Sequence, residues 1–323
     1  MAAVAANCDV VIPEDVWGAP FEQLSEEYTV HAEPQLWSDR KALAQRLAGA
    51  RALVVRNQTK VDAELLAAAP DLRIVARAGV GLDNIDVAAA DAAGVVVVSP
   101  RGENAQSVAE YAVGTVLALV RDLVGHDRAV RAGRWDRHFG RELHGRTWGL
   151  LGAGATGMAV ARLARGFGMT VLAYDPYVTR ADDAVRLAPL EEVVAGSDVV
   201  SIHLPATEET VGLVGAGLLA RMRPGAVLVN VGRGEVVDEH ALADALEHGA
   251  LAGAALDVRT AEPPTLGRLE RLDNVLLTPH IAGLTEQSQA RIMRALADDV
   301  RAVLSGGRAA NAVGAATSAE VIS

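Results

Sequence analysis

Two successive series of short β-branched runs, each run followed by a helical stretch, constrain the fold of this chain more than any other feature. The first series begins at Asp9 and the second at Thr147. Because a parallel strand pair needs a long crossover, usually a helix, such alternation is typical of βαβ units. Strands are expected at 10–12, 53–55, 73–75, 95–98, 147–151, 170–174, 198–202, 226–230, 254–256 and 275–278. The sequence therefore predicts an α/β protein with two doubly wound parallel sheets.

The length of the chain supports a division into two domains. A chain of 323 residues is too long for one compact core of ordinary size. Apolar residues at helical spacing over 107–123 predict a helix long enough to cross from the first domain to the second. A second amphipathic helix is predicted over 285–304, and it has no strand to lead into in the second sheet. The predicted domains are 1–101 together with 288–323, and 102–287.

Composition and charge argue against several classes of protein. Half of the residues are hydrophobic and 22% are charged, which is typical of a globular chain rather than a disordered one. The net charge of −11 opposes binding to nucleic acid. Met1–Asn7 resembles no secretory signal, and no run approaches the ~20 apolar residues of a membrane span. Nothing near Cys8 has metal-ligand spacing. We expect a cytoplasmic protein without metal, with a partly loose end over 309–323.

A glycine-rich turn lies between a predicted strand and a predicted helix. Gly152-Ala153-Gly154-Ala155-Thr156-Gly157 directly follows the strand at 147–151. Glycines at this spacing allow a tight turn and a close approach of the backbone to a pyrophosphate at the helix N-terminus. Asp175 ends the next strand, where a carboxylate accepts hydrogen bonds from the adenosine ribose and repels a 2′-phosphate. These residues predict a dinucleotide site that prefers NAD; the alternative for Asp175 is a turn residue before Pro176.

Three charged residues follow strands of the second series, at the sheet edge where open α/β sheets bind ligands. Arg233 stands between two glycines and is suited to clamp a substrate carboxylate. His280 is suited to move a proton near neutral pH, and Glu262 is suited to fix its tautomer and stabilise its protonated form. The alternatives are a surface salt bridge for Arg233, a structural role for His280 and an exposed acid at Glu262.

The chain resembles the D-2-hydroxyacid dehydrogenase family over nearly its whole length. Several motifs in a fixed order together make the resemblance specific. The segments that carry it are Arg77 to Asp86, Gly152 to Gly157, His203-Leu204-Pro205, Arg233 to Glu239, Leu256-Asp257-Val258, Glu262-Pro263 and Pro279 to Gly283. One position departs from the family pattern: Arg259 stands where an aromatic residue commonly follows Asp-Val.

The resemblance implies a Rossmann NAD domain inserted in a discontinuous, flavodoxin-like substrate domain, and a homodimer built from the NAD domains. It implies that Arg233 binds the substrate carboxylate and carbonyl, that His280 is the acid/base and that Glu262 supports it. The implied backbone donors to the substrate are in Ala78-Gly79-Val80. The residues implied to line the cofactor are Val80, Leu204, Val231, Gly232, Asp257 and Gly283.

Among the branches of this family, the chain looks most like the phosphoglycerate dehydrogenases. The segments Arg56-Asn57-Gln58-Thr59-Lys60 and Arg77-Ala78-Gly79 carry that likeness. Arg56, Lys60 and Arg77 are therefore candidates to bind a phosphate on the far end of the substrate, with ordinary solvated cations as the alternative. Because the chain ends soon after the returning helix, neither a regulatory domain nor feedback control by serine is expected.

The sequence leaves other functions on the same fold open. Formate dehydrogenases of the family pair their histidine with glutamine, so Glu262 argues against that activity. Reduction of another small acid, such as glyoxylate, hydroxypyruvate or a sulfolactate-type compound, is an alternative. A non-enzymatic NAD-sensing corepressor is another, since such proteins can retain Arg233, Glu262 and His280.

Overall fold

The computed structural model describes residues 8–16, 18–180 and 184–315. The chain divides into two compact units: a central unit, Ala105–Thr285, and a split unit that combines Met1–Asn104 with Glu286–Ser323. The boundaries expected from the sequence, after 101 and after 287, lie a few residues from these divisions. Met1–Asn7 and residues 316–323, for which expectations were drawn from the sequence, lie outside the described residues.

The split unit contains a six-stranded sheet. Its strands are β1 (Val10–Ile12), β2 (Val30–Ala32), β3 (Ala52–Val55), β4 (Ile74–Arg77), β5 (Val96–Val98) and β13 (Ala312–Val313). The strand order is β13-β5-β4-β3-β1-β2. All pairs are parallel except β13 with β5, which is antiparallel. The five parallel strands have the order 2-1-3-4-5, which is that of flavodoxin-like folds.

Helices cover both faces of this sheet. They are α1 (Ala19–Leu24), α2 (Arg40–Leu47), α3 (Ala63–Ala67), α4 (Val87–Ala92) and α11 (Glu286–Leu304). Alternate strand residues enter two separate cores: Leu53 and Val55 pack in one, while Val54 packs in the other with Ile292 and Leu296 of α11. Strands buried on both faces read as continuous apolar runs, which is why the sequence revealed them.

The central unit contains a seven-stranded parallel sheet. Its strands are β6 (Thr147–Leu151), β7 (Thr170–Tyr174), β8 (Arg186–Leu187), β9 (Val199–Ile202), β10 (Ala226–Asn230), β11 (Leu251–Leu256) and β12 (Val275–Leu277). The order is β12-β11-β10-β9-β6-β7-β8. The chain order reverses between β6 and β9, as it does in dinucleotide-binding Rossmann folds, where ligands bind at that point.

Helices lie on both faces of the central sheet as well. They are α5 (Ala105–Val120), α6 (Leu123–Arg131), α7 (Ala155–Gly166), α8 (Leu190–Gly196), α9 (Ala216–Leu219) and α10 (Glu239–Glu247). Trp148 and Leu150 of β6 point into one core and Leu151 into the other. Because each fully buried side chain of this size contributes about 1.5–3 kcal/mol, a one-residue slip of β6 is strongly disfavoured.

Three short strands were not expected from the sequence. The strands β2 and β8 lie at sheet edges, and β13 pairs Ala312 with Val98. The expectation of a partly loose end over 309–323 is thus wrong for 312–313, because their backbone pairs with β5. In the described ranges 8–16, 18–180 and 184–315, no helix combines the length and apolar character that crossing a membrane requires.

Candidate active site

The glycine-rich turn connects β6 to α7 at the reversal of strand order. Gly152 has a φ of +106°, which glycine adopts without steric cost. A Cβ on Gly157 would collide with the carbonyl oxygen of Gly152, so helix and strand approach as closely as only glycine allows. A Cβ on Gly154 would meet nothing within 4 Å, so its backbone is open to a ligand. The turn and the N-terminus of α7 form a cradle suited to an anion.

Asp175 follows β7 and is tied to the same turn. Its Oδ2 accepts a hydrogen bond from the backbone N–H of Ala153 at 2.9 Å, and its Oδ1 accepts one from that of Tyr177 at 2.9 Å. These bonds orient the carboxylate beside the glycine turn. Each oxygen has further acceptor capacity, which ribose hydroxyls can use.

His203 lies under the glycine turn and is a residue whose role the sequence did not reveal. The indole Nε1 of Trp148 donates to Ser201 Oγ at 2.8 Å, and that Oγ lies 2.8 Å from His203 Nε2. Within the described part of the chain, Nδ1 of His203 is buried without a hydrogen-bond partner. Burial lowers the pKa of His203 to about 4. The ring is therefore neutral at neutral pH, and it supports the glycine turn by packing against it.

Glu262 and His280 form a direct pair. Nδ1 of His280 lies 2.8 Å from Oε2 of Glu262, and both side chains are about half exposed. A carboxylate at this distance accepts a hydrogen bond from Nδ1 and so holds a proton on that nitrogen. Nε2 is then the ring nitrogen that can exchange a proton with a ligand.

The backbone around His280 is fixed by the buried side chain of Asp257. Its carboxylate accepts from Thr278 Oγ1 at 2.6 Å and from the N–H groups of Ile281 and Ala282, each at 2.8 Å. His280 itself has a φ of +56°, a left-handed conformation that is uncommon outside glycine. Such strain persists only where surrounding contacts over-determine it, and these three bonds supply that constraint.

A half-buried tyrosine extends this support into α5. The hydroxyl of Tyr111 lies 2.5 Å from Thr278 Oγ1, and because that oxygen donates to Asp257, the tyrosine is the donor. Burial raises the pKa of Tyr111 to about 12, so it keeps the proton that this bond needs.

Arg233 lies on the loop that follows β10, beside the loops of Asp257 and His280. Asn230 holds this loop: its Nδ2 donates to the carbonyl of Arg233 at 2.9 Å and its Oδ1 accepts from Gly232 N–H at 3.1 Å. The Nη1 of Arg233 donates to the carbonyl of Gly232 at 2.8 Å. Because β10, β11 and β12 are neighbours in the sheet, the segments bearing Arg233, Glu262 and His280 emerge at one edge.

The other expected cofactor residues lie in two places. Leu204, Val231, Gly232, Asp257 and Gly283 follow strands of the central unit, whereas Val80 belongs to the split unit. A Cβ on Gly232 would lie 2.6 Å from the carbonyl oxygen of Leu204, so these two loops touch. The side chain of Asp257 accepts hydrogen bonds from the segment around His280.

The candidate phosphate-binding residues lie in the split unit. Arg56 directly follows β3, and its strand neighbour Val55 pairs with Arg77 at the end of β4. Lys60 lies four residues further on and is exposed. Ala78 N–H donates to Val55 O at 2.7 Å and Gly79 N–H to Arg77 O at 2.8 Å. Both groups thus already have a backbone acceptor in this structure, so donation to a substrate would require each to release or share that bond.

Glu14 organises the loop after β3 and was not found from the sequence. Its buried carboxylate accepts four backbone N–H groups at 2.9–3.0 Å, from Arg56, Asn57, Gln58 and Thr59. Burial acts to raise the pKa of Glu14, but these donors outweigh it and hold the pKa below its usual range. The loop that carries Arg56 is thus anchored by an ionised buried acid.

Comparison with known proteins supports a family assignment. Residues 113–282 match the family described as D-isomer specific 2-hydroxyacid dehydrogenase, NAD binding domain. Over 88% of its length the chain is 43% identical to a D-3-phosphoglycerate dehydrogenase of Archaeoglobus fulgidus, of which it covers 55%. It is 42% identical over 92% of its length to an (S)-sulfolactate dehydrogenase of Chromohalobacter salexigens, of which it covers 98%. A crystal structure of a Thermus thermophilus protein matches with a TM-score of 0.88 and 33% identity, covering 95% of this chain and 100% of that one.

The chain belongs to the D-isomer specific 2-hydroxyacid dehydrogenase family and carries its NAD-binding domain. The predictions of family, of fold class and of NAD as cofactor are thereby confirmed. The chain spans about half the length of the phosphoglycerate dehydrogenases that it matches, and nearly all of the sulfolactate dehydrogenase. The open backbone at Gly154 and the oriented Asp175 carboxylate fit the dinucleotide.

Proposed function

We propose that this protein is an NAD-dependent D-2-hydroxyacid dehydrogenase that interconverts a small 2-hydroxy acid and its 2-keto acid. The observation that carries the proposal is the 2.8 Å contact between Glu262 and His280, on a sheet edge that also bears Arg233. The split unit serves as the substrate domain. The protein acts in the cytoplasm as a homodimer. Trp135 and Phe139 of the central unit are exposed apolar side chains, which a second copy of the chain would bury.

Each residue of the site has a distinct task in this reaction. The glycine turn and Asp175 would hold NAD, which would supply the hydride acceptor for oxidation and, as NADH, the hydride donor for reduction. Arg233 binds the substrate carboxylate and polarises the C2 oxygen, since guanidinium forms paired bonds to planar anions. In oxidation, Nε2 of His280 takes the proton of the C2 hydroxyl, and the Glu262 carboxylate stabilises the resulting imidazolium. In reduction the same nitrogen returns the proton.

The preferred substrate in this proposal is 3-phosphoglycerate, with 3-phosphohydroxypyruvate as its product. Arg56 and Arg77 end neighbouring strands, and Lys60 follows in the loop that Glu14 anchors. An acidic protein gains most from such a local cationic cluster when its ligand is a dianion. The phosphoglycerate dehydrogenases among its relatives support the same choice.

A sulfolactate is the second candidate, because the sulfolactate dehydrogenase relative is matched over 98% of its length. A sulfonate carries one negative charge and, like a phosphate, three terminal oxygens on a tetrahedral atom. The same cations are therefore suited to bind it. The two acids differ in charge at the far end, which makes them separable by kinetics.

A substrate panel tests the proposal. We expect NADH formation with 3-phosphoglycerate, and less or none with 3-sulfolactate, glycerate and 2-hydroxybutyrate. With glyoxylate and hydroxypyruvate, which are assayed by NADH oxidation, we expect little turnover. Arg56→Ala should raise KM for 3-phosphoglycerate by about 10- to 100-fold, the value of a lost charge-assisted hydrogen bond, and change KM for 2-ketobutyrate little. Arg73→Ala, at the opposite end of β4, is the matched control.

The outcomes of this panel separate the alternatives. Turnover of sulfolactate alone would transfer the proposal to the second candidate, and turnover of glyoxylate or hydroxypyruvate alone would favour a reductase of those acids. NADH binding without turnover of any acid would contradict the enzyme proposal and favour a corepressor.

Asp175 is expected to set the preference for NADH over NADPH. Asp175→Asn keeps an oxygen that can accept from Ala153 N–H but removes the charge that repels a 2′-phosphate. We expect the ratio of kcat/KM values for the two cofactors to fall by about tenfold or more. Glu191→Gln, an exposed acid on α8, should leave it unchanged. Equal use of NADPH by the unmodified protein would contradict this role.

A further inference from the structure

Arg259, the position that departs from the family pattern, lies in a nearly buried ion-pair network. Its Nε donates to Glu239 Oε1 at 3.0 Å and its Nη2 to Glu239 Oε2 at 2.7 Å. Its Nη1 donates to Glu270 Oε1 at 2.5 Å. Only 9% of the arginine side chain is exposed. The side chain thus ties the segment after β11 to the start of α10 and to the 3₁₀ helix Leu269–Arg271.

The charges of this network reinforce one another. The hydrogen bonds that Arg259 donates to Glu239 raise its pKa, and the one that it donates to Glu270 adds to the effect. Despite burial, the same bonds lower the pKa values of Glu239 and Glu270. All three groups are therefore ionised over the working range of pH. Paired bonds in a partly buried site hold a defined geometry better than an exposed pair does.

The backbone of Arg259 is hydrogen-bonded to the Glu262–His280 pair. Its N–H donates to Glu262 Oε1 at 3.1 Å, while Oε2 of the same carboxylate contacts His280 Nδ1 at 2.8 Å. Glu262 is therefore held at both oxygens, once by His280 and once by the residue that the ion pairs anchor. A shift of Arg259 must rotate or release this carboxylate.

The same backbone packs against the loop of Arg233. A Cβ on Gly234 would collide with the carbonyl group of Arg259 and with the nitrogen of Thr260. Thr260 N–H also donates to Glu239 Oε1 at 2.9 Å. The segment 259–260 thus lies between the Arg233 loop and Glu239, and the Glu239 carboxylate fixes it by accepting from three of its donors.

We propose that Arg259 is a positioning residue: by clamping its own backbone between Glu239 and Glu270 it orients Glu262, and through Glu262 it sets the protonation and placement of His280. The expected effect on catalysis rests on the proposed function. The effect on the imidazole of His280 does not depend on it. An aromatic side chain at this position could pack but could not form the paired bonds.

Several charged groups act on the His280 ring from the elements packed around it. They are Glu262, the buried Asp257 beneath its loop, Arg233 on the neighbouring loop and the network of Arg259, Glu239 and Glu270. The Glu262 carboxylate is in direct contact, so its displacement dominates. Loss of this contact therefore removes the negative charge nearest to the imidazolium.

Arg259→Met tests the proposal in the full chain. The His280 titration is followed by NMR on histidine-labelled protein without cofactor, with His280→Ala to assign the signal. We expect the protonated ring to be less stable in this variant than in the unmodified protein, in the direction produced by Glu262→Gln. In kinetics we expect kcat for keto-acid reduction to fall by about 10- to 100-fold, with its pH profile displaced to lower pH and NADH affinity unchanged.

Arg268→Met is the matched control, since Arg268 also pairs with two acids of α10, Asp244 and Glu247. Within the described part of the chain, its side-chain hydrogen bonds and ion pairs do not reach the segment 257–262. It should leave the titration unchanged. Arg259→Lys keeps the charge and should restore part of the shift. If Arg259→Met unfolds the protein, Glu239→Gln keeps the shape and the Glu270 pair and should give a smaller shift in the same direction.

The results distinguish this proposal from the proposed function. If Arg259→Met lowers Tm but leaves the His280 titration and pH profile unchanged, the network only stabilises the fold and the proposal is overturned. If no 2-hydroxy acid is turned over, the proposed function fails, while the titration shift still decides whether Arg259 positions the pair.

Discussion

His280→Ala should abolish most turnover while leaving NADH bound. In the proposed function the imidazole moves the C2 proton, and proton transfer by a positioned side chain contributes about 10²–10⁴-fold in rate. The cradle for the dinucleotide is built from the turn after β6 and from Asp175, so it does not depend on this ring. Steady-state kinetics give the loss of kcat, and fluorescence titration of NADH gives the affinity.

The backbone conformation of His280 requires a second variant. Alanine is disfavoured at a φ of +56°, so part of any loss in His280→Ala could come from the loop. His280→Asn tolerates the left-handed region and should lose activity to a similar extent. His240→Ala, an exposed histidine on α10, should retain full activity. A rate close to that of the unmodified protein in both His280 variants, or loss of NADH binding, would refute the acid/base role.

The sequence predicted the parts of the fold that leave a local signal. The runs at 10–12, 147–151, 170–174 and 226–230 coincide with β1, β6, β7 and β10 because buried strands need continuous apolar residues. The edge strands β2, β8 and β13 have two or three residues each, too few for any periodicity to show. Their pairing depends on neighbours far away in sequence.

The same distinction holds for the candidate site. The glycine turn, Asp175, Glu262 and His280 could be found because each follows a recognisable strand, and the structure brings the last two into contact. The roles of Glu14 and Asp257 could not, because a buried carboxylate is explained only by the donors that converge on it. Those donors lie 42–45 residues from Glu14 and 21–25 residues from Asp257.

Arg259 illustrates how a visible departure can be misjudged. From the sequence it put only local packing in doubt, because an arginine in place of an aromatic residue has no evident partner nearby. Its partners Glu239 and Glu270 lie 20 and 11 residues away in the sequence and contact it in the folded chain. The substitution thus replaces packing by a set of directional bonds, which can transmit orientation to Glu262.

Arg233→Met is expected to have the second largest effect, on both binding and chemistry. A cation that binds the substrate carboxylate and polarises the C2 oxygen contributes in the ground state and more strongly as charge develops on that oxygen. Removing one such preorganised donor typically costs about 10²–10³ in kcat, or about 2.7–4 kcal/mol. We therefore expect KM to rise and kcat to fall together, so that kcat/KM falls by more than either. Steady-state kinetics with saturating NADH measure both.

The identity of the cation should matter as well as its charge. Arg233→Lys keeps a positive charge but loses the planar pair of donors, so it should recover part of the binding and less of the rate. Arg221→Met, an exposed arginine on the turn before β10, controls for a general loss of charge near this strand. If Arg233→Met raised KM with kcat unchanged, the guanidinium would bind the carboxylate without assisting the transition state. If neither constant changed, the loop after β10 would not be the carboxylate site, and the proposed orientation of the substrate would be wrong.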